Sequence, residues 1–403
     1  MEAFAASERR IEATVCHVCR GFARFCKITT CPFYKQVWTE RMLAKVGGKV
    51  VYGPSPPTVI VGEKGYPRLR VGPAVSLHEQ AEPTLEDAGK WLEMSLDELL
   101  KLRLSLFYGT TVRHVKQRDS TLEAVRESAA SAKPVDVEVV VEGRTVSTPG
   151  FGVRRAPYGP SAKIGEVKLV GNVSVPRKVD SLVNDPYVSA AEALHTLYSE
   201  NINEYYLTRV FSAGLLGRTA ERKLVPTEWS ITAVDDILSK KFFNMVRRNN
   251  VISEYRVHSH QALENAAHII LTPTPWMYEL LEGWLRNIQK SPYADHEYLQ
   301  PRKTYAENTG GAYYAVRLSV LRHLSSRKEQ AGAIVFFEVY PGWIPLGVWR
   351  FREIAKKALE KKADKHATLD EALESVAPRL RIHISKYIAH SSLIKHLKTQ
   401  QQL

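Results

Sequence analysis

Hydrophobic and polar positions follow both helical and extended periodicities along the chain. Short β-branched runs at 58–61 and 68–71 flank Gly62-Glu-Lys-Gly65, a pattern typical of a β-hairpin. Ser95-Leu-Asp-Glu98 is a capping box, and the apolar spacing after it predicts a helix. A wholly apolar run at 331–337 predicts a buried central strand that ends in Glu338. We therefore expect an α/β fold of the mixed α+β kind.

The same periodicities place the remaining elements. Further helices are expected to start near 121 and to span 188–198, 203–216, 233–248, 276–285, 312–328, 349–362, 369–376 and 385–398. Further strands are expected at 134–141, 253–258 and 268–272. The stretch 145–165 is polar and punctuated by Gly and Pro, which predicts a linker. The expected domains are a zinc-binding module at 1–45, an α+β domain with a hairpin at 46–160 and an α/β domain with a basic helical tail at 161–403.

Residues 223–236 combine cations, an aromatic ring and two adjacent carboxylates within fourteen positions. Thr232 and Asp235 have the spacing of an N-terminal helix cap, which would place Asp235 and Asp236 in the first helical turn. In a purely structural interpretation Thr232 is the cap and Trp229 packs in the core. In a functional interpretation the helix start faces a phosphate. The nucleic-acid contacts expected here are Arg218, Arg222, Lys223 and Trp229.

Charge and composition narrow the class of protein. The 403 residues carry a formal net charge of +13 with a pI near 9.4, which favours a polyanionic partner, most simply DNA, although composition alone does not separate DNA from RNA. No apolar run reaches the roughly 18 residues that a membrane span needs. The first residues lack the apolar core of a secretory signal. We therefore expect a cytoplasmic protein with no membrane partner.

All four cysteines fall within residues 16–31. The spacing is C-x2-C followed by C-x4-C, which in a cytoplasmic chain favours a metal over disulfides. The interpretation we favour is a structural Zn²⁺ site, and the alternatives are an iron–sulfur cluster or an unmetallated reactive set. Basic side chains around the site would give it a face for DNA. The expected ligands are Cys16, Cys19, Cys26 and Cys31, and the basic neighbours are Arg20, Arg24 and Lys27.

Carboxylates in the second half suggest possible phosphodiester chemistry. Acids at strand ends and helix starts can hold Mg²⁺ or Mn²⁺ in nucleases, and Arg317 could contact a phosphate. Each acid alone also fits a helix cap or a surface position. We hypothesise that Asp236, Glu307 and Glu338 converge in one pocket beside Trp229 and Lys223. The candidate catalytic residues are Asp235, Asp236, Glu307 and Glu338.

Several ordered segments together resemble the archaeal Nre family of DNA repair proteins over nearly the whole chain. They include the cysteine cluster, Pro54-Ser-Pro-Pro57, Lys223-Leu-Val-Pro-Thr-Glu-Trp-Ser-Ile-Thr-Ala-Val-Asp-Asp236, Gly310-Gly-Ala-Tyr-Tyr314 and Tyr340-Pro-Gly342. The resemblance implies a role in DNA repair and a zinc-binding N-terminus, but it supplies no catalytic residues. Many members end in a motif that docks on the sliding clamp. The tail Lys398-Thr-Gln-Gln-Gln-Leu403 has the glutamines without the aromatic pair, so we expect no clamp binding through it.

The sequence thus predicts a zinc-containing DNA repair protein that binds DNA, with other repair proteins as further partners. In one hypothesis it is a metal-dependent nuclease. In a second it is a non-catalytic adaptor that binds DNA in a repair complex, and in a third it binds RNA. Whether the carboxylates converge in space separates the first hypothesis from the second.

Overall fold

The computed structural model describes residues 46–400 except 57, 79–82, 146–149, 151–154, 286–288, 290 and 344. The four cysteines and their basic neighbours Arg20, Arg24 and Lys27 lie outside the described residues, so the zinc module stays a prediction. The described chain forms two compact units. The first contains the residues up to Val234 together with 345–347, and the second contains the rest, from Asp235 onward.

The first unit is built on a six-stranded mixed sheet with the strand order β1-β5-β6-β4-β3-β2. Only the β4–β6 pair is parallel. The predicted hairpin is confirmed, because β2 and β3 pair antiparallel with Val61 opposite Val71. The strands are β1 (Val50–Ser55), β2 (Val59–Val61), β3 (Arg68–Ser76), β4 (Leu106–His114), β5 (Val135–Val141) and β6 (Ser161–Leu169).

Side-chain caps fix where several helices of the first unit begin. The predicted capping box is present, with the Ser95 hydroxyl accepting from Glu98 N and the Glu98 carboxylate accepting from Ser95 N. Asp119 caps the next long helix by accepting from Leu122 N at 2.9 Å. The helices are α1 (Ala88–Trp91), α2 (Leu96–Leu104), α3 (Ser120–Ala130), α4 (Arg177–Val183), α5 (Ala190–Ser199) and α6 (Glu204–Ser212). The next helix, α7 (Thr227–Val246), contains the boundary between the two units.

The second unit is also organised around a six-stranded mixed sheet, with the strand order β11-β10-β13-β9-β8-β14. Every residue of β9 and β13 is buried, which confirms the central strand that the apolar run predicts. The six strands are β8 (Tyr255–Ala262), β9 (Asn265–Thr272), β10 (Met277–Trp284), β11 (Tyr293–Tyr298), β13 (Gly332–Val339) and β14 (Asp364–His366). Two further short strands, β7 (Asn250–Val251) and β12 (Glu329–Gln330), pair with each other.

Helices cover both faces of this second sheet. α8 (Gly311–Arg327) packs on α9 (Trp349–Glu360), which lies on β8 and β9. The opposite face meets α10 (Leu369–Val376), α11 (Ile384–His390) and α12 (Ser392–Gln400). A single hydrophobic cluster joins Ile334 and Phe336 of β13 to Leu373, Tyr387 and Leu393 of these three helices. The C-terminal helices are thus part of the core.

Two predicted helices differ in the structure. The segment expected as a helix at 276–285 forms strand β10 instead. Its acids Glu279 and Glu282 have the i, i+3 spacing of one helical face, but in the strand they lie on opposite faces of the sheet. The helix expected at 385–398 is two helices that meet at Ser391. Ser391 Oγ accepts from Ile394 N at 2.9 Å and so caps α12, while the buried carboxylate of Glu279 accepts from Ser392 N at 2.8 Å.

The predicted cap at Thr232 is also wrong. α7 begins at Thr227, directly after Pro226, whose carbonyl accepts from Ser230 N and closes the first turn. The Thr232 hydroxyl donates to Glu228 O at 3.4 Å inside the helix instead. A proline at the start of a helix costs no intrahelical hydrogen bond, so Pro226 allows the helix to begin at Thr227, earlier than the capping pattern predicts.

The expected boundary near residue 160 lies inside the first unit. β6 pairs with β5 on one side and with β4 on the other, so a cut at this point would split the sheet. The Gly/Pro-rich stretch before β6 therefore marks a connection within the unit. No helix of the described segments has the length and apolar character that crossing a bilayer requires.

Candidate nucleic-acid interface

Two exposed aromatic rings lie beside an exposed lysine on the first unit. Tyr66, in the β2–β3 hairpin, is 46% exposed, and Trp229, in the first turn of α7, is 45% exposed. Their ring centroids are 5.8 Å apart, with 31° between the ring planes. Lys223 Nζ lies 3.3 Å from the Tyr66 hydroxyl and 5.9 Å from the centroid of the Tyr66 ring. We call these three residues the aromatic–basic surface.

Backbone hydrogen bonds hold the chain segments that carry the aromatic–basic surface. Val115 N donates to Pro67 O at 2.9 Å, and Leu224 N donates to Val115 O at 2.8 Å. Thr227 Oγ1 accepts from Val61 N at 2.9 Å, which ties the start of α7 to β2. The two rings are therefore presented by an ordered backbone, which lowers the entropy that a ligand must remove.

The segments next to the aromatic–basic surface carry an excess of positive charge. Arg68 on β3 lies opposite His114 on β4, and both side chains are exposed. The acids in these segments are fewer, and one of them, Asp119, already pairs with Arg113 at 2.6 Å. Such an excess attracts an anionic ligand. The exposed basic side chains here are Lys64, Arg68, Arg70, Lys116, Arg118 and Lys223.

The two arginines expected to accompany Lys223 have other roles. Arg222 is half-buried and donates to the carbonyls of Val183, Asp185 and Gly217 at 2.6–2.7 Å. Its guanidinium therefore holds the chain before α5 in place. Arg218 is exposed and lies 3.4 Å from Glu221 Oε1, so a neighbouring carboxylate partly offsets its charge.

Arg317, the other expected phosphate contact, is buried in the second unit. It is 1% exposed, and its Nε donates to Glu297 Oε1 at 2.7 Å while its Nη1 donates to the Ser239 hydroxyl. Asp236 Oδ1 lies 3.9 Å from the same Nη1. Arg317 thus neutralises buried acid instead of presenting charge to a ligand. The sequence shows the charge of an arginine but not its burial.

The paired acids at the predicted helix start have separate structural partners. Asp235 is fully buried, and both its carboxylate oxygens lie 2.6 Å from Arg352 Nη2. Asp236 is partly exposed, with Lys240 Nζ 2.5 Å from its Oδ2, one helical turn along. Both carboxylates therefore belong to ion pairs that hold α7 and its neighbours together.

Glu338 and Glu307 occupy contrasting environments. Glu338 is fully buried and accepts from Arg381 N and Ile382 N at 2.8 Å each and from the Tyr387 hydroxyl at 3.1 Å. Burial raises the pKa of the Glu338 carboxyl, and these hydrogen bonds oppose the shift. Glu307 is exposed, in the turn before α8.

The described residues give no support for a metal site built from the candidate acids. Among the residues that the structure describes, which include all four candidate acids, no group of three or more His, Cys, Asp or Glu side chains is placed to hold a metal ion. Their catalytic role stays a prediction without support from geometry.

Sequence reasoning missed several important residues. Tyr66 lies far from Lys223 along the chain, so no local pattern joins them. The sequence does not reveal the buried acids on β10 and β11, because the pattern at 276–285 predicts a helix where the structure has β10. Burial raises the pKa of Glu282 and lowers that of Arg350, and their mutual attraction opposes both shifts. The buried acids of these two strands are Glu279, Glu282, Asp295 and Glu297.

Two units, each with a mixed sheet, and an aromatic–basic surface on the first define an α/β protein with a candidate nucleic-acid interface. The chain belongs to the archaeal Nre family. The model described as "Archaeal Nre, N-terminal" matches residues 25–289, and the one described as "Archaeal Nre, C-terminal" matches residues 297–403.

Three relatives are similar over most of their length. "DNA repair protein NreA" of Archaeoglobus fulgidus is 34% identical over 375 residues, which cover 91% of this chain and 93% of the relative. "DNA repair protein NreB" of the same organism is 33% identical over 387 residues, or 94% and 97% of the two chains. "DNA repair protein NreA" of Haloferax volcanii is 31% identical over 386 residues, or 90% and 91%. No solved structure matches the chain significantly.

Proposed function

We propose that the protein acts in DNA repair and binds DNA through the aromatic–basic surface. The observation that carries this proposal is the pair of exposed rings of Tyr66 and Trp229 beside Lys223, in a basic neighbourhood. A base stacked on an aromatic side chain contributes about 1–3 kcal/mol, and a lysine adds phosphate attraction. The names of the relatives and the net charge of +13 support the same role.

The proposal includes one structural Zn²⁺ held by Cys16, Cys19, Cys26 and Cys31. Four thiolates in C-x2-C and C-x4-C spacing are ligands that zinc prefers. When bound, the ion would stabilise the N-terminal segment and present Arg20, Arg24 and Lys27 as further phosphate contacts.

A non-catalytic adaptor fits the observed side chains better than a nuclease. A catalytic carboxylate has to reach a metal ion or a substrate. Asp235 and Glu338 are instead fully buried with structural partners, and Asp236 pairs with Lys240. Metal-dependent cleavage with Mg²⁺ or Mn²⁺ therefore stays a hypothesis that geometry does not favour.

The test is a titration of labelled DNA against wild type and single variants at several salt concentrations. Tyr66→Ala and Trp229→Ala are each expected to weaken binding by about 1–3 kcal/mol. Lys223→Ala should also reduce the slope of log affinity against log salt by about 1, because one phosphate contact is lost.

Matched controls come from exposed residues elsewhere on the first unit. Tyr52→Ala removes a tyrosine that is 51% exposed but lies beside the carboxylate of Asp136. Lys168→Ala removes an exposed lysine that pairs with Glu166 at 3.4 Å. Both controls should bind DNA like wild type. If the three surface variants bind as tightly as these controls, the aromatic–basic surface is not the DNA interface.

A further inference from the structure

Tyr187 is the most exposed large apolar side chain among the residues that the structure describes. It is 84% exposed, in the connection between α4 and α5 of the first unit. Exposing an aromatic ring to water forgoes the stabilisation that its burial would bring. A tyrosine offers a flat apolar face with a polar tip, so an exposed tyrosine ring is suited to stacking on a ligand.

The backbone that carries Tyr187 is held firmly. Asp185 Oδ1 accepts from Tyr187 N at 2.8 Å and from Val188 N at 3.1 Å, so the turn is closed by its own side chain. Thr219 N donates to Pro186 O at 3.1 Å. The ring is thus presented by an ordered turn, and binding need not order it.

One short segment connects this turn to the aromatic–basic surface. The guanidinium of Arg222 donates to the carbonyl of Asp185 at 2.7 Å, and the next residue, Lys223, contacts Tyr66. Consecutive Cα atoms are about 3.8 Å apart, so the anchor of the Tyr187 turn and the cation on Tyr66 are immediate neighbours. The turn of Tyr187 and the ring of Tyr66 are therefore both anchored to one stretch of chain, residues 218–229, which itself carries Trp229.

Charge is unevenly distributed between the two ends of this stretch. Near Tyr187 the cations Arg218 and Arg222 face the acids Asp185, Glu192 and Glu221, so this end has no excess of positive charge. The other end, at Lys223 and Tyr66, has the excess of exposed cations described above. A ligand should therefore meet Tyr187 mainly by stacking and the aromatic–basic surface by stacking and phosphate contacts together.

We propose that Tyr187 and the aromatic–basic surface form one binding track for single-stranded DNA, with bases stacked on Tyr187, Tyr66 and Trp229 and phosphates beside Lys223. The track rests on the proposed DNA-binding function and specifies its substrate. In a duplex the faces of the bases are covered by their neighbours, so exposed rings reach them only in a single strand.

The experiment measures the binding of labelled oligothymidylates of about 6 and about 20 nucleotides and of a blunt duplex of the longer length. Wild type should bind the long single strand more tightly than the duplex. Tyr187→Ala should weaken binding of the long strand by about 5- to 150-fold and leave the salt slope unchanged, because only stacking is lost. The short strand makes fewer stacking and phosphate contacts and should bind wild type less tightly than the long strand.

Controls separate this proposal from the one on which it rests. Tyr187→Phe keeps the ring and should bind like wild type, and Tyr52→Ala should also be unaffected. If Tyr66→Ala is impaired while Tyr187→Ala binds normally, the track is overturned but DNA binding stands. If wild type binds neither single strand nor duplex at low salt, the proposed function itself fails.

Two further outcomes would overturn the assignment to single-stranded DNA. One is duplex binding that equals or exceeds binding of the long single strand. The other is tighter binding of an oligouridylate of the same length, which would make RNA the ligand. Because Tyr187 is exposed, its variants should unfold at the same denaturant concentration as wild type, and this measurement accompanies each titration.

Discussion

Replacing Glu338 with glutamine tests whether this acid is structural or catalytic. In the wild type its two carboxylate oxygens accept three hydrogen bonds, from Arg381 N, Ile382 N and the Tyr387 hydroxyl. Glutamine offers one accepting oxygen, and its amide group would face a backbone N–H that also donates. The variant therefore loses at least one buried hydrogen bond and leaves donors without an acceptor.

The expected cost follows from these contacts. Hydrogen bonds to a charged acceptor contribute about 1.5–3 kcal/mol each, and a buried donor left unpaired costs about 1–3 kcal/mol. Part of this loss is offset, because glutamine carries no charge and burial already disfavours the ionised carboxylate, as the raised pKa of Glu338 indicates. We expect Glu338→Gln to lower the free energy of unfolding by about 2 kcal/mol.

Urea unfolding followed by circular dichroism measures this change. With a slope of about 2 kcal/mol/M, the midpoint should fall by about 1 M. Hydrogen exchange at the Arg381 and Ile382 amides should accelerate, because their acceptor is lost. Glu307→Gln is the matched control, since it makes the same change at an exposed acid and should alter stability by less than about 0.5 kcal/mol.

The nuclease hypothesis predicts the reverse. A catalytic Glu338 would give a glutamine variant that unfolds at the wild-type urea concentration but no longer cleaves DNA with Mg²⁺ or Mn²⁺. That result would refute the structural role argued here.

Three other predictions follow from the buried ion pair, a buried histidine and the cysteine cluster. Asp235→Asn removes the carboxylate that pairs with buried Arg352 and should lower the free energy of unfolding in urea by about 3–5 kcal/mol. Asp235→Leu combined with Arg352→Met should recover much of this loss. An unchanged urea midpoint in Asp235→Asn would show that the ion pair does not stabilise the fold. Burial lowers the pKa of His268 to about 4, so the unfolded chain binds more protons between about pH 6.5 and pH 4 and stability falls as the pH is lowered through this range. At pH 5 the share of this loss that comes from His268 should be about 2 kcal/mol relative to pH 7.5, and His268→Gln should lack that share. An equal pH dependence in both proteins would refute this origin. Elemental analysis should find about one zinc per chain in wild type and none in Cys16→Ser. In that variant residues from 235 onward should unfold as in wild type. Iron with visible absorption would identify a different metal centre.

Patterns that depend on neighbouring residues predicted the structure well. The capping box at Ser95 and Glu98 needs only four residues, and it begins a helix as expected. The apolar run at 331–337 forms the core of β13, and the run at 58–61 pairs with β3. These elements are predicted correctly because their hydrogen bonds or burial pattern depend on residues within one segment.

Elements stabilised from a distance could not be predicted in this way. β10 contains Glu279, whose partners at Ser391 and Ser392 lie more than a hundred residues later. Without that partner, an acid inside an apolar run looks like the polar face of a helix. The break between α11 and α12 depends on the same distant contact, because the Glu279 carboxylate accepts hydrogen bonds from the first backbone amides of α12, at Ser392 and Leu393.

The candidate site was predicted in part for a related reason. Lys223 and Trp229 stand out because a cation and a large ring occur close together in sequence, and both are exposed. Their companion Tyr66 comes from a hairpin far away in sequence, which is tied to them by backbone hydrogen bonds by way of Val115 and by the bond from Val61 N to Thr227 Oγ1. The sequence predicts a DNA contact at Arg222, because it shows the charge of this residue but not its three carbonyl partners.

The stretch 223–236 therefore serves two purposes that its sequence does not separate. Its first half presents Lys223 and Trp229 to solvent, whereas Asp235, in its second half, is buried against Arg352. Lys223 and Trp229 are exposed and contribute little to folding, so changes at these two residues should alter DNA binding at constant stability. Breaking a buried ion pair costs folding energy directly, so changes at Asp235 should alter stability while the folded protein still binds DNA. Loss of binding by a stably folded Asp235 variant would show that the two halves act as one site.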